Sequence, residues 1–122
     1  MPEFAQSFEE LWIWQQAREL VKQTYSDFGK GSSSEYDFSF RSQIQRAAVS
    51  IMNNIAEGFE RRAKTEFLRF LDIAKASCAE VRSMYYTAED LEYVTSETAT
   101  IRREFSKQIS AGIASMMRSL KK

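Results

Sequence analysis

Apolar residues recur at steps of three and four in four successive stretches of this 122-residue chain, and strand-like alternation never sets in. That period is the signature of one face of an α-helix, so each stretch is expected to bury a stripe against its neighbours. The first carries Phe8, Leu11, Trp14, Ala17, Val21, Tyr25 and Phe28, widened by Trp12 and Ile13. It opens on Ser7-Phe8-Glu9-Glu10, the S-x-x-E form of a capping box, which predicts a helix over about 7–28. A second, over about 38–59, carries Phe40, Ile44, Ala47, Ala48, Ile51, Ile55 and Ala56, with Gly58 near its end. A third, over about 64–92, carries Phe67, Phe70, Leu71, Ala74, Cys78, Val81, Met84, Tyr85, Ala88 and Leu91. The fourth, over about 96–120, is capped by Thr95 or Ser96 and carries Ile101, Phe105, Ile109, Ile113, Met116 and Leu120. Gly29 to Asp37, with its Gly-Ser-Ser-Ser centre, reads as the longest and a mobile loop. Short joins elsewhere make neighbouring helices antiparallel, which predicts one all-α domain over 1–122, an up-down-up-down four-helix bundle. The chain is too short for a second independent core.

Charge and missing residue types narrow the chemistry. Seventeen Lys plus Arg balance seventeen Asp plus Glu, so binding to nucleic acid would need a local or assembled basic patch. The chain has no His, which removes the commonest general base, the usual metal ligand and every imidazole triad. Cys78 is alone and cannot close an internal disulfide, in keeping with a reducing, cytoplasmic setting. The start, Met1-Pro2-Glu3-Phe4-Ala5-Gln6, lacks a basic region followed by an apolar one, and no apolar run approaches the roughly 18 residues of a membrane span. Nine Phe, five Tyr and two Trp are many rings for a small bundle, and some are expected to be buried between subunits.

On the second helix Gln43, Arg46, Ser50, Asn54 and Glu57 step by three and four into a polar stripe beside the apolar row, and Arg69, Ser77 and Glu80 on the third are its candidate partners. Two readings are available. Arg46, Glu57 and Glu80 could form an acid-base or ligand-binding cluster, as carboxylates do in di-iron bundles, but those need Glu-x-x-His pairs. The favoured reading is structural: Arg46, Asn54 and Glu57 hydrogen-bond across helices and fix their register. Ser50 and Ser77 have no base beside them in the pattern, and Cys78 sits among Ala74 and Val81 as an inert buried thiol. No catalytic residue, metal ligand or cofactor is predicted. Basic residues gather as Arg61, Arg62 and Lys64, as Arg102, Arg103 and Lys107, and as Arg118, Lys121 and Lys122. A ring-shaped oligomer could bring copies of one cluster together as a phosphate-binding stripe, although Glu60 and Glu66 dilute the first.

Three segments resemble a known family. Phe8-x-x-Leu11-x-x-Trp14-Gln15-x-Ala17 is similar to the opening helix of the bacterial four-helix bundle proteins also called 23S rRNA intervening-sequence, or S23, proteins. Gln43-Ile44-x-Arg46-Ala47-Ala48-x-Ser50-Ile51-x-x-Asn54-Ile55-Ala56-Glu57-Gly58 resembles their signature segment. Glu66-Phe67-x-Arg69-Phe70-Leu71-x-Ile73-Ala74, followed by Ser77 and Glu80, resembles their third helix. Met52 stands where members often have Pro, and Ala76 where they often have Gly. The first difference should straighten the second helix, and the second adds a methyl at a close contact. The resemblance implies a left-handed antiparallel bundle that assembles as a homopentameric ring. It also implies likeness to the accessory variability determinant of diversity-generating retroelements, a pentameric barrel that binds a reverse transcriptase and nucleic acid. The matched residues are mostly packing residues, which carry over the fold and no binding site; together with the aromatic excess and the lack of a catalytic constellation, the likeness leads to the expectation of a non-enzymatic binding or scaffold protein with a protein or nucleic-acid partner.

Overall fold

The computed structural model describes residues 5–122. The reading of Met1–Gln6 as lacking a targeting segment falls in part on Met1–Phe4, which lie outside the described residues. The chain forms four helices, α1 (Trp12–Asp27), α2 (Phe38–Glu60), α3 (Lys64–Asp90) and α4 (Ser96–Lys121), with no strand among the described residues. They pack as an antiparallel bundle in which α2–α3 and α3–α4 share the largest contacts and α1–α4 the smallest. Among the described residues no helix is long and apolar enough to cross a membrane.

Capping sets most boundaries. Asp37 starts α2 by accepting from the Phe40 N–H at 3.2 Å, and Thr95 starts α4 by accepting from the Thr98 N–H at 3.0 Å, which decides between Thr95 and Ser96. The capping-box reading at Ser7 fails. Phe8–Glu10 is a single 3-10 turn, the Ser7 hydroxyl reaches only the Glu10 carboxylate at 3.5 Å, and α1 begins at Trp12. The physical reason is Leu11, which leaves helical geometry (φ −76°, ψ 127°) and buries its side chain in the core. Burying an apolar side chain of that size is worth more than one surface cap. Gln15 then ties the turn to α1 through its amide, which donates to Glu9 O at 2.9 Å. At the other end of α3 the helix stops at Asp90. Tyr93 N–H bonds Ala88 O at 2.8 Å and Glu92 N–H bonds Glu89 O at 3.0 Å, a Schellman motif with Glu92 left-handed at φ 61°.

The α1–α2 connection is a chain of hydrogen-bonded turns rather than an open linker. Ser34 is buried, the Ser32 hydroxyl donates to Gly29 O at 2.7 Å, and Arg41 reaches back to Phe28 O and Glu35 O, both at 2.6 Å. The interior is built from Ile13, Leu20, Ile44, Ile51, Ile55, Leu71, Val81, Ile109 and Ile113 with an aromatic plug at one end. In that plug Phe28 lies 5.1 Å from Phe40 and 5.3 Å from Tyr85, and Phe40 lies 5.3 Å from Tyr93. Two glycines allow close approach. A Cβ at Gly58 would stand 2.6 Å from the Phe70 Cβ, and one at Gly112 would stand 2.8 Å from the Trp12 ring. Trp12, Tyr25, Tyr36, Phe38 and Tyr86 keep their rings exposed.

Candidate functional site

Helical spacing brings Gln43, Arg46 and Ser50 of α2 to the seam with Ser77 and Glu80 of α3. Together with Ser39, Ser42 and Ala47 they line a groove of about 480 Å³. Two bonds cross it: the Gln43 amide donates to the Glu80 carboxylate at 3.3 Å, and the Ser50 and Ser77 hydroxyls meet at 2.8 Å. Asn54 supports this pair from within α2, its amide donating to Ser50 O at 2.8 Å and to the Ser50 hydroxyl at 3.0 Å.

Part of the stripe lies elsewhere. Glu57 is exposed and meets only Arg61, one turn along α2, at 3.4 Å, so it joins neither Arg46 nor Glu80. Cross-helix bonding was expected of Arg46, Asn54 and Glu57; the residues that make it are Gln43, Ser50, Ser77 and Glu80. Arg69 pairs with Glu66 on its own helix at 3.0 Å, which holds the Glu66 carboxyl below its ordinary range. Among the described residues neither serine hydroxyl is hydrogen-bonded to a base: the two face each other, and Ser50 also accepts from the Asn54 amide. Burial pushes the Cys78 thiol up to about 12, so it stays protonated at neutral pH. Among the described residues no group of three or more His, Cys, Asp or Glu converges as a metal site.

The basic residues divide between the two ends of the bundle. Arg61, Arg62 and Lys64 are exposed at the α2–α3 turn, where Arg62 is left-handed at φ 65°. Their guanidiniums lie over buried rings, Arg61 at 5.1 Å from Phe70 and Arg62 at 6.0 Å from Phe59. Antiparallel packing places the last turn of α4, with exposed Arg118, Lys121 and Lys122, at this same end. Arg102 and Arg103 sit at the opposite end and are engaged within the chain, while Lys107 lies exposed further along α4.

The pairs that engage them were not anticipated. Asp27, at the last turn of α1, accepts from Tyr85 Oη of α3 at 2.7 Å and from Arg102 of α4 at 2.8 and 3.1 Å, joining three helices. Burial, reinforced by the Asp27 carboxylate, pushes the Tyr85 phenol far up, and the hydrogen bond to Asp27 raises Arg102 above its ordinary value. Beside it Arg103 pairs with Glu89 at 2.9 Å and stacks 3.9 Å from the Tyr86 ring centre. Bonds from Ser96 and Arg103 hold the Glu89 carboxyl low. A signal for Asp27 does exist in the sequence: a carboxylate on a helix's last turn opposes the dipole and calls for a cation.

The profile of the 23S rRNA-intervening sequence proteins matches residues 9–115. The chain belongs to that family. Among solved structures it is similar to a protein of unknown function from the S23 ribosomal protein family of Bacteroides thetaiotaomicron, with 21% identity and a TM-score of 0.77 over 86% of this chain and 97% of that one. At that identity the likeness carries the fold alone. No curated protein matches the chain. The whole groove and both close-packing glycines fall inside the span that the intervening-sequence profile covers.

Proposed function

We propose that this member of the intervening-sequence family is a non-enzymatic, cytoplasmic binding or scaffold module that works as a homopentameric ring. The observation that carries the assembly is an open seam. Between α1 and α4, Gln23, Thr100, Ile101, Glu104, Phe105 and Gln108 line a groove of about 410 Å³ in which Ile101 is half exposed. Phe105 packs beside it, half-buried against the core. A second copy seated in the seam would cover Ile101 and the open flank of Phe105. Five copies is the number that the family resemblance implies. Light scattering on purified protein is expected to give the mass of five protomers, falling to one in Ile101→Asp; a parent protein of one-protomer mass at micromolar concentration overturns the reading.

A second reading is favoured by the basic end. Arg61, Arg62 and Lys64 of the α2–α3 turn and Arg118, Lys121 and Lys122 of α4 are exposed on the same end of each copy, and a ring would repeat that charge around one rim. On this reading the protein is an RNA- or DNA-binding accessory whose affinity falls steeply with salt. Filter binding across a salt series tests it, and affinity indifferent to salt counts against it.

A further inference from the structure

Single-stranded nucleic acid is held by aromatic faces open to solvent beside cations that no carboxylate neutralises. The basic end supplies charge but little stacking surface: Phe59 and Phe70 are buried beneath the guanidiniums, and the half-exposed Trp12 ring at the start of α1 lies against Gly112. The opposite end supplies both. Around the α1–α2 connection Tyr25 is 49% exposed, Tyr36 82% and Phe38 69%. Tyr25 and Phe38 line one hollow of about 370 Å³ with Arg41, Ser42, Gln45 and Arg46. Ser42 and Arg46 also line the α2–α3 groove, so the two hollows meet in one trough along the N-terminal half of α2.

Its cations are available. Neither Arg41 nor Arg46 pairs with a carboxylate among the described residues. Arg41 donates to the carbonyls of Phe28 and Glu35, which fixes its guanidinium 5.9 Å from the Phe38 ring centre and leaves its charge uncompensated. Glu80 is the one carboxylate in the lining, on the α3 side, and accepts from the Gln43 amide. The trough is a long surface furrow, whereas small-molecule sites enclose most of their ligand. A strand that gains a little from each successive base suits it better.

We propose that this trough binds single-stranded nucleic acid, with bases stacked on Tyr25 and Phe38, phosphates against Arg41 and Arg46, and Ser39, Ser42 and Gln45 available to sugars and base edges. The proposal rests on the nucleic-acid reading above and adds to it a site that distinguishes single strands from duplex, whose bases are already stacked.

Fluorescence anisotropy with a labelled oligouridylate of roughly 12 nucleotides and a hairpin duplex of similar length tests it. The parent protein is expected to prefer the single strand. Tyr25→Ala and Phe38→Ala should each weaken single-strand binding about five- to a hundredfold and leave duplex binding unchanged, and Phe38→Tyr should restore it. Arg46→Gln should flatten the log–log salt dependence by about 0.7. All three side chains are on the surface, so melting temperatures should hold. Equal affinity for both probes, or alanine variants that bind like the parent, overturns the trough. So does a change in oligomer mass in Tyr25→Ala or Phe38→Ala, which would make this face a contact between copies. Binding lost only in Arg61→Gln/Lys64→Gln overturns the trough while sustaining the basic-end reading, and no binding of any oligonucleotide overturns both.

Discussion

Removing Arg102 tests the three-helix polar junction. Arg102→Met keeps the stem that packs on the bundle but strips two of the three donors from Asp27, whose side chain is only 10% exposed against 20% for Arg102. Breaking a buried ion pair from one side costs about 3–5 kcal/mol. Partial access of water to this pair places the expected loss near the lower bound, about 3 kcal/mol. For a chain of this length each kcal/mol moves Tm by about 4 °C, so Arg102→Met should melt about 12 °C below the parent. Tyr85→Phe, which removes one charge-assisted bond and leaves Asp27 its arginine, should cost about 1.5–3 kcal/mol. The informative variant is the triple, Asp27→Leu/Tyr85→Phe/Arg102→Met. If electrostatic pairing and not shape sets the cost, the apolar triple regains most of the lost stability, because no charge or hydroxyl is left stranded. Circular-dichroism melts at one protomer concentration measure all of these. An Arg102→Met protein within about 2 °C of the parent, or a triple whose loss equals the sum of its singles, refutes the reasoning.

Other substitutions read other parts of the bundle. Gly58→Ala should cost about 1–2 kcal/mol in a urea melt, because the contact at 2.6 Å is with the Phe70 Cβ, which cannot swing aside, and the strain exceeds the helix-propensity gain. Glu57→Gln should move the same melt by less than about 0.5 kcal/mol, since its exposed carboxylate meets only Arg61. The native chain keeps the Cys78 proton up to about 12 while the unfolded chain releases it near 9.0, so stability is whole below pH 9 and falls as pH rises toward 12. Cys78→Ala should shallow that alkaline slope by up to about 1.4 kcal/mol per pH unit, and an unchanged slope would contradict the burial of the thiol. On the acid side the Asp37 carboxyl is lowered from 3.8, by Tyr93 first and the Phe40 N–H second. Its contribution is complete above pH 4 and lost as pH falls further, so Tyr93→Phe should lessen acid sensitivity in the same melts.

The helices were legible because burial imposes its period on every core-facing residue, and Ile44, Ile51 and Ile55 or Ile109 and Ile113 can be read with no knowledge of their neighbours. The start of α4 was legible to within one residue, Thr95 or Ser96, because a cap is a local signal. Ser7 misled because the capping signal is three residues long, whereas the force that moved the helix start is the burial of Leu11 against the whole bundle. The groove was half legible. Spacing assigns Gln43, Ser50 and Glu57 to one side of α2, yet over those turns the side rotates from the α3 seam toward water, and only packing decides where it leaves the seam. The Asp27 junction joins residues 58 and 75 positions apart, beyond any local pattern.

The notch at Gly112 has a consequence for how the chain is made. One edge of the Trp12 ring and the Ile13 side chain rest against it, so the first helix finds part of its seat on a residue of the fourth, which emerges after α2 and α3. A nascent chain can pair α2 with α3, the most extensive contact in the bundle, while α1 still lacks one wall of its berth. Order of synthesis and order of docking are thus expected to run in opposite directions for α1. Pulse-labelled hydrogen exchange during refolding should find α1 protected after α2 and α3. Until α4 arrives, a neighbouring copy's α4 offers the same notch, and subunit exchange through α1 is the error this fold is most exposed to.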